Sequence, residues 1–348
     1  MSKGLKGTIL VLFIAGLIAA LGKVFFWGEE ATNYGSYTPW GLWVALYIFL
    51  VGTAAGAAWT GLYAAYKQGG EPKKLTSISF VIAGASLAIG LAFIGLDLGK
   101  PLKGISIFFT PSFSSKLAWA SWLYLIFFGC LAGYFFTNAK KGFMYAAGAV
   151  AAGFVLAEGM FFGGMVARQL WNTFLTPVSF ITSSFAAGSA AVYAIGLLSQ
   201  EETIAEEGIG ISKIVMYSVI AHAGAELIHA VSGAGIEAKA MLSSWIYLGL
   251  FGVMGVIAPL VLLKKGNRMS AVPFALVLVG LVSYKYSFVR YGFTAEPLPG
   301  LVTALQDAKL TMSYIPSTVE WVVSVGLLAG VIWIADFAIN KLTALNRV

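Results

Sequence analysis

Residues 41–66 read GLWVALYIFLVGTAAGAAWTGLYAAY, a run of 26 residues without a charged side chain. A helix that crosses the hydrocarbon core of a bilayer needs about 20 mainly apolar residues, and this run exceeds that length. The rest of the chain has the same character, because 59% of its 348 residues are hydrophobic and 11% are charged. Soluble proteins carry about 25% charged residues. The sequence therefore predicts an integral membrane protein.

Runs of the same kind recur along the chain and predict an all-α, polytopic fold with ten membrane-spanning helices. We expect these helices at residues 7–26, 41–66, 77–96, 117–137, 142–165, 178–198, 213–234, 242–263, 271–290 and 318–340. Ten spans use about 200 residues and leave no segment for a sizeable soluble domain. The whole chain, 1–348, is therefore predicted to be one integral membrane domain.

A short repeat subdivides this domain. Ala54-Ala55-Gly56 recurs as Ala186-Ala187-Gly188, four predicted helices further along the chain. Helices an even number of spans apart run in the same direction, so the repeat predicts two parallel four-helix bundles with a flanking helix at each end. The predicted parts are a first helix and loop (1–38), a first bundle (39–175), a second bundle (176–295), and a loop with the last helix (296–348).

The basic residues predict the orientation of the chain. With both termini inside, 13 of the 22 Lys and Arg residues fall in inner segments: Lys3, Lys6, Lys67, Lys73, Lys74, Lys140, Lys141, Lys213, Lys264, Lys265, Arg268, Lys341 and Arg347. An excess of basic residues in short cytoplasmic loops is the usual determinant of topology. The longer connections, 27–40, 97–116 and 291–317, then lie outside. They are either a docking platform for another subunit or simple caps on the bundle.

Ionisable side chains inside membrane spans are costly and are candidates for function. The chain places eight such residues in or beside its spans: Asp97, Glu158, His222, Glu226, His229, Arg290, Glu320 and Asp336. Glu158 has no charged residue within a helical turn, so its partner must come from another helix. We interpret Glu320 and Asp336, near opposite ends of the last span, as structural.

His222, Glu226 and His229 share one helix face, and the two histidines lie about 10 Å apart along the axis on the same side. A haem with two histidine ligands needs them on opposite sides, and the chain has no third histidine. This stripe is either part of a proton path or a packed polar cluster. Cys130 is the only cysteine, and an iron–sulfur cluster needs about four. We therefore expect no haem, no iron–sulfur cluster and no metal site in this chain.

Five motifs occur in an order that resembles the NrfD/polysulfide reductase membrane-subunit family. They are Pro39-Trp40-Gly41-Leu42-Trp43-Val44-Ala45-Leu46-Tyr47 with Gly52-Thr53-Ala54-Ala55-Gly56, Leu96-Asp97-Leu98-Gly99-Lys100-Pro101, Ser114-Ser115-Lys116 with Ala120-Ser121-Trp122, Pro177-Val178-Ser179-Phe180-Ile181 with Gly188, and Arg290 with Tyr314-x-Pro316-Ser317-x-x-Glu320. The likeness runs from about residue 39 to 325. Ten spans resemble the longer branch of the family, which includes the membrane subunits of hydrogenase-2-type enzymes.

The resemblance implies a quinone-binding anchor of a respiratory oxidoreductase in the cell (inner) membrane. Such an anchor exchanges electrons between the quinone pool, commonly menaquinone, and an extracytoplasmic, ferredoxin-like iron–sulfur subunit that serves a catalytic subunit. Proton translocation is compatible with this function. The substrate of the complex and the direction of electron flow belong to its other subunits and stay open.

The resemblance also implies a site in the outer half of the first bundle. Tyr47 occupies a position where a relative has a quinone-contacting histidine, and Asp97 and Lys100 match the D-x-x-R turn of the family. Trp43 and Phe162 complete the expected quinone contacts. Relatives often carry Tyr or His in the segment that holds Phe162, whereas this chain has neither there. We expect Glu158, the nearest ionisable group, and Asp97 to exchange protons instead.

Two other functions remain open at this stage. A secondary transporter or channel also has repeated bundles and charged residues within its spans, but its binding site lies near the midplane at the repeat interface. The predicted site lies near one membrane face. An inert membrane anchor without a quinone site is the third interpretation.

Overall fold

The computed structural model describes residues 1–67, 69–72, 74–110, 112–232, 235–266, 270–295, 300 and 312–344. Within these residues all regular secondary structure is helical. The helices are α1 (Lys3–Gly22), α2 (Leu42–Lys67), α3 (Lys74–Asp97), α4 (Pro101–Gly104), α5 (Ser106–Phe109), α6 (Lys116–Phe136), α7 (Lys141–Gly163), α8 (Leu175–Leu198), α9 (Glu202–Ser232), α10 (Ile236–Leu242), α11 (Ala258–Lys264), α12 (Val272–Tyr291) and α13 (Thr318–Ala344). A π-helix, Lys23–Trp27, and a 3₁₀ turn, Gly28–Ala31, extend α1, and a longer π-helix, Ile246–Ile257, runs directly into α11.

Ten helical segments of the described chain are long and apolar enough to cross a membrane. This confirms the prediction of an all-α, polytopic membrane protein. Two elements differ from the expected spans, since α9 begins at Glu202 rather than near 213 and the eighth span begins as a π-helix. Lys73, Arg268 and Arg347 lie outside the described residues. So do positions 296–299 and 301–311, which form most of the predicted loop 291–317.

The helices group around one central crossing. α2, α3, α6 and α7 pack together, as do α8, α9, α12 and the long π-helix, and α2 packs along α8 between the two groups. At that crossing a Cβ on Gly56 would stand 1.7 Å from Ser184 O, and one on Gly188 would stand 2.0 Å from Ala57 N. Only glycine fits at either position, because small residues let membrane helices approach backbone to backbone. The repeated Ala-Ala-Gly motif is therefore the contact between the two groups of helices.

The two described ends of the chain lie on the same face of the protein. α1 packs along α13, and the Lys6 ammonium lies 2.8 Å from Asp336 Oδ2 near the C-terminal end of α13. The N-terminal amino group lies 3.9 Å from Asp336 Oδ1. Asp336 thus has the structural role expected of it. The opposite face is formed by residues 28–41, 98–110, 112–115 and 164–174, and we call it the loop face. The basic residues predict that it faces outside.

A buried carboxylate holds the start of α13 against the loop face. Ser317 and Glu320 form a reciprocal capping box, in which Glu320 N donates to Ser317 Oγ at 3.1 Å and Ser317 N donates to Glu320 Oε2 at 2.9 Å. Asn33 N donates to the same Oε2 at 3.1 Å, and the Tyr314 hydroxyl donates to Oε1. Burial and the nearby Glu320 charge raise the pKa of Tyr314, so its hydroxyl stays a donor. Glu320 is therefore structural, as interpreted from sequence.

A second carboxylate fixes the segment 164–174. Leu170 N donates to Glu237 Oε2 at 2.8 Å, and Arg168 Nη1 lies 4.0 Å from Glu237 Oε1. Burial raises the pKa of Glu237, opposed by the Leu170 N–H and by the Arg168 charge. His229 Nε2 lies 3.1 Å from Leu170 O, so the same segment is also bound to α9.

Candidate functional site

Three buried side chains from three helices form a hydrogen-bonded row in the first group of helices. The hydroxyl of Tyr47 on α2 lies 2.8 Å from the hydroxyl of Tyr124 on α6. The Tyr124 hydroxyl in turn donates to Oε1 of Glu158 on α7. All three side chains are at most 5% exposed. The row therefore links a phenol to a carboxyl group by two consecutive hydrogen bonds, which is an arrangement suited to moving a proton.

The row lies in the half of the bundle next to the loop face. At a rise of 1.5 Å per residue, Tyr47 and Glu158 are each about 8 Å from the loop-face ends of α2 and α7, and Tyr124 is about 12 Å from the start of α6. The spans measure about 30–39 Å by the same rise. Tyr47 and Glu158 are therefore closer to the loop face than to the midplane, and Tyr124 lies between these residues and the midplane.

Asp97 ends α3 in a separate cluster at the loop face. Lys23 lies beside it, 2% exposed, and its ammonium donates to Leu96 O at 2.7 Å and pairs with Glu29 Oε1 at 2.6 Å. Lys23 also lies 5.9 Å from the centre of the Trp43 ring. The cation next to Asp97 is therefore the ammonium group of Lys23, at the end of the first span.

Two polar atoms of this cluster have unused hydrogen-bonding capacity. Burial raises the pKa of Tyr34, and the neighbouring Asp97 charge raises it further, so the Tyr34 hydroxyl remains protonated. The Tyr34 hydroxyl and the Asp97 carboxyl group face each other, although within the described part of the chain Tyr34 Oη and Asp97 Oδ1 form no hydrogen bond of normal geometry. Buried polar atoms without a partner are rare and often mark the place of a water or a ligand.

The structure separates the predicted site residues into three groups. Tyr47 and Glu158 meet through Tyr124, whereas Asp97 and Trp43 lie with Tyr34 and Lys23. Phe162 lies in an aromatic cluster between the two groups of helices, with Trp171, Phe180 and Phe288 at ring distances of 5.3–5.6 Å. Lys100 is exposed. Trp43 and Tyr47 are one helical turn apart, so they border the same side of α2.

A second buried carboxylate cluster occupies the second group of helices at a similar depth. Glu226 Oε1 accepts from the Ser179 hydroxyl at 2.5 Å and from the Tyr284 hydroxyl at 2.9 Å. Thr182 Oγ1 lies 3.2 Å from His222 Nδ1. The histidine–glutamate stripe is therefore satisfied in part by residues of α8 and α12. Among the described residues, no group of three His, Cys, Asp or Glu side chains is arranged to hold a metal ion.

Sequence reasoning missed three residues of these clusters, Lys23, Tyr124 and Lys285, and placed Tyr34 only among the aromatic residues of the outer interface. Lys23 and Lys285 carry a readable signal, because a lysine within an apolar span is itself a candidate for function. Lys285 is 3% exposed, and its ammonium lies 3.5 Å from the centre of the Phe180 ring. Tyr34 and Tyr124 carry no comparable signal among the 15 tyrosines of the chain.

Comparison with known proteins agrees with the motifs. The family described as "Polysulphide reductase, NrfD" matches residues 30–295. The chain belongs to this family. The match covers α2 to α12 and so includes both buried carboxylate clusters.

Two relatives extend this likeness over nearly the whole chain. One is the C subunit of the selenate reductase of Mesobacillus selenatarsenatis, with 22% identity over 97% of this chain and 95% of that protein. Another is the membrane subunit of a putative dimethyl sulfoxide reductase of Halobacterium salinarum, with 20% identity over 94% of this chain and 88% of that protein. The similarity to these reductase subunits therefore extends along nearly their full length.

Proposed function

We propose that this chain is the quinone-reactive membrane subunit of a multi-subunit respiratory reductase in the cell (inner) membrane. It exchanges electrons between the quinone pool, with menaquinone as the expected type, and an extracytoplasmic iron–sulfur subunit. That subunit docks on the loop face and serves a catalytic subunit. Membership in the NrfD family and the two full-length relatives named as reductase subunits support this assignment.

The observation that carries the proposal is the row Tyr47–Tyr124–Glu158. Reduction of a quinone to a quinol takes up two electrons and two protons, so a quinone site needs hydrogen-bond donors for the carbonyl oxygens and a buried group that exchanges protons. The row supplies both when Glu158 is protonated, because Glu158 then donates to Tyr124, Tyr124 donates to Tyr47, and the Tyr47 hydroxyl is left to donate to a carbonyl oxygen. The Tyr34 hydroxyl and the Asp97 carboxyl group, which face each other at the loop face, supply further groups that fit a quinone oxygen.

Each residue then has a distinct role. Trp43 and Tyr47 present an indole ring and a phenol on one side of α2, where a flat lipophilic ring would pack and receive a hydrogen bond. Tyr124 passes a proton between Tyr47 and Glu158. Asp97, held near Lys23, is a second proton-exchanging group closer to the loop face. Lys100 is exposed and suits contact with the docked partner or with lipid headgroups.

The position of these groups disfavours the transporter alternative. A transporter site is expected near the bilayer midplane at the repeat interface. The Tyr47–Tyr124–Glu158 row lies about 8–12 Å from the loop-face ends of its helices, and the Asp97 cluster lies at that face. Electron exchange with a partner bound outside requires a site close to one face.

A second candidate property, proton translocation, has its own support in the cluster around Glu226. This carboxylate is 2% exposed and lies on the helix that carries His222 one turn further from the loop face. A row of groups that exchange protons and lead away from the quinone site is what a proton path requires. We include proton translocation as part of the proposed function.

The proposal is tested on the complex purified in mild detergent. We expect an iron–sulfur protein to copurify and a naphthoquinol to reduce its clusters, measured by their visible absorption. Glu158→Gln should slow this reduction, whereas Glu71→Gln, an exposed glutamate paired with Lys141, should not. The assignment would be contradicted if no redox partner copurified, or if the clusters were reduced at equal rates in the two variants.

A further inference from the structure

Lys285 lies beside Tyr284 of the Glu226 cluster, and the charge of Glu158 in the first group of helices also acts on it. It belongs to α12, and its side chain reaches the interface of the two groups of helices, where the ammonium lies 3.5 Å from the centre of the Phe180 ring and 5.2 Å from that of Tyr284. The carboxylates whose charges act on it are Glu226 of α9 and Glu158 of α7. A single cation thus faces one carboxylate from each group of helices.

The geometry differs from that of a buried ion pair. Within the described residues the Lys285 ammonium has no hydrogen-bond partner. Glu158 is instead held by the Tyr124 hydroxyl, and Glu226 by the Ser179 and Tyr284 hydroxyls, with His229 Nδ1 at 3.9 Å from Glu226 Oε2. A buried charge is costly unless it is paired and hydrogen-bonded. A lysine placed only for stability would be expected to bond directly to one of the two carboxylates.

We propose that Lys285 carries protons between Glu158 in the first group of helices and Glu226 in the second. The proton of the Glu158 carboxyl group moves to the neutral Lys285 amine, which leaves a carboxylate and an ammonium. The ammonium then gives that proton to the Glu226 carboxylate and returns to the amine. A lysine suits this step because its chain is flexible and its ammonium releases a proton when buried, whereas a guanidinium does not. A buried water would serve where the side chains do not touch.

The relay has a continuation away from the loop face. Glu226 lies about 9 Å from the loop-face end of α9, and His222 lies one turn further in on the same helix face. Nε2 of His222 is buried and has no hydrogen-bond partner in the described chain, while Nδ1 lies 3.2 Å from Thr182 Oγ1. The order Glu158, Lys285, Glu226, His222 therefore leads from the quinone site of the first group of helices towards the opposite face.

This inference rests on the proposed quinone function, so its test separates the two. The complete complex is reconstituted in proteoliposomes and driven with a naphthoquinol, and both the electrons transferred and the membrane potential are recorded. Absence of quinol oxidation in the wild type would overturn the proposed function. Quinol oxidation in the wild type without charge movement would overturn the relay and proton translocation, and would leave the proposed quinone function standing.

Two substitutions at Lys285 then distinguish a relay from a structural cation. Lys285→Met removes the charge, and Lys285→Arg keeps a charge that does not release its proton. We expect the rate of charge movement to fall by roughly 10²-fold in both, the lower end of the effect of a positioned proton-transfer group on a rate. Lys265→Met, at an exposed lysine near the opposite face, should match the wild type. If Lys285→Arg moves as much charge per electron as the wild type, the relay is overturned, because arginine can replace a lysine that is needed only for its positive charge.

A variant of the proton acceptor, Glu226, keeps the test valid if neither Lys285 variant folds. Glu226→Gln retains an oxygen that accepts from Ser179 and Tyr284 but takes up no proton. We expect its rate of charge movement to fall to the same extent. Full coupling in Glu226→Gln would overturn the relay.

Discussion

Tyr124→Phe tests the hydrogen-bonded row at its central member. The substitution removes one oxygen atom and leaves a ring of nearly the same volume. The lost hydroxyl has two partners, the Tyr47 hydroxyl at 2.8 Å and the Glu158 carboxylate. A hydrogen bond between neutral groups contributes about 1 kcal/mol and one to a charged group about 1.5–3 kcal/mol. The variant should therefore be measurably less stable and should break the connection between Tyr47 and Glu158.

The functional effect of this substitution should exceed its effect on stability. A positioned proton-transfer group contributes about 10²–10⁴-fold to a rate, so quinol oxidation by the complex should fall by at least about 10²-fold. Tyr134→Phe is the matched control, because Tyr134 lies on the same helix and is 1% exposed. Among the described residues its hydroxyl bonds only to Ser77, at 3.0 Å. It should lose about 1 kcal/mol of stability and keep its rate. Equal rates in the folded variants would refute the reasoning.

Three further predictions concern packing, capping and pH. Gly188→Ala should prevent accumulation of folded protein, because its Cβ would stand 2.0 Å from a backbone nitrogen of α2. Gly129→Ala, whose Cβ would have nothing within 4 Å, should accumulate normally. Fluorescence-detected size exclusion measures both. Ser317→Ala should lower the unfolding free energy by about 1 kcal/mol, read from thermal unfolding, since it removes the cap of α13; an unchanged melting temperature would contradict the capping role. Burial raises the pKa of Glu237, so the wild type should lose stability as the pH rises above the ordinary glutamate value of about 4.3 and through the raised value. Glu237→Gln, which still accepts from Leu170 N, should flatten that profile, and parallel melting curves for the two proteins would contradict the shift.

The apolar runs predicted the fold because lipid imposes one simple condition on a spanning helix. Every backbone polar group must be satisfied within the segment, so length and hydropathy suffice to locate the ten helices. Length and hydropathy do not indicate the hydrogen-bonding pattern within a helix, and the π-helix at Ile246–Ile257 was therefore not predicted. The first turns of α9, from Glu202, also escaped detection, because they are polar and extend beyond the apolar run.

The repeat shows how a weak pattern can have a definite physical cause. Three residues, Ala54-Ala55-Gly56 and their counterparts at 186–188, are too few to establish internal duplication from sequence. In the structure the two copies meet, because Gly56 and Gly188 are both needed for α2 and α8 to cross backbone to backbone. The pattern was visible in sequence, whereas the contact depends on how the two helices pack.

Only part of the candidate site was predicted from sequence. Glu158 is conspicuous as a charge within an apolar run, and Tyr47 entered through the family resemblance. Tyr124, which connects them, follows from no spacing in the sequence, because it lies on a third helix. The lysine nearest to Asp97 in sequence, Lys100, is exposed, whereas the lysine that packs beside it in space, Lys23, comes from the first span. Both the link through Tyr124 and the placement of Lys23 beside Asp97 depend on contacts between helices, which the sequence does not show.

Quinone binding is the central claim, and it can be measured directly on the purified chain in lipid nanodiscs. A naphthoquinone is titrated while tryptophan fluorescence is recorded in the wild type, in Tyr47→Phe, in Glu158→Gln and in the control Tyr134→Phe. We expect saturable quenching in the wild type and in Tyr134→Phe. Binding should weaken by roughly tenfold or more in Tyr47→Phe and Glu158→Gln, as expected for loss of a hydrogen bond to the ligand or of the group that orients it. Equal binding in all four proteins, or no saturable binding in the wild type, would contradict it.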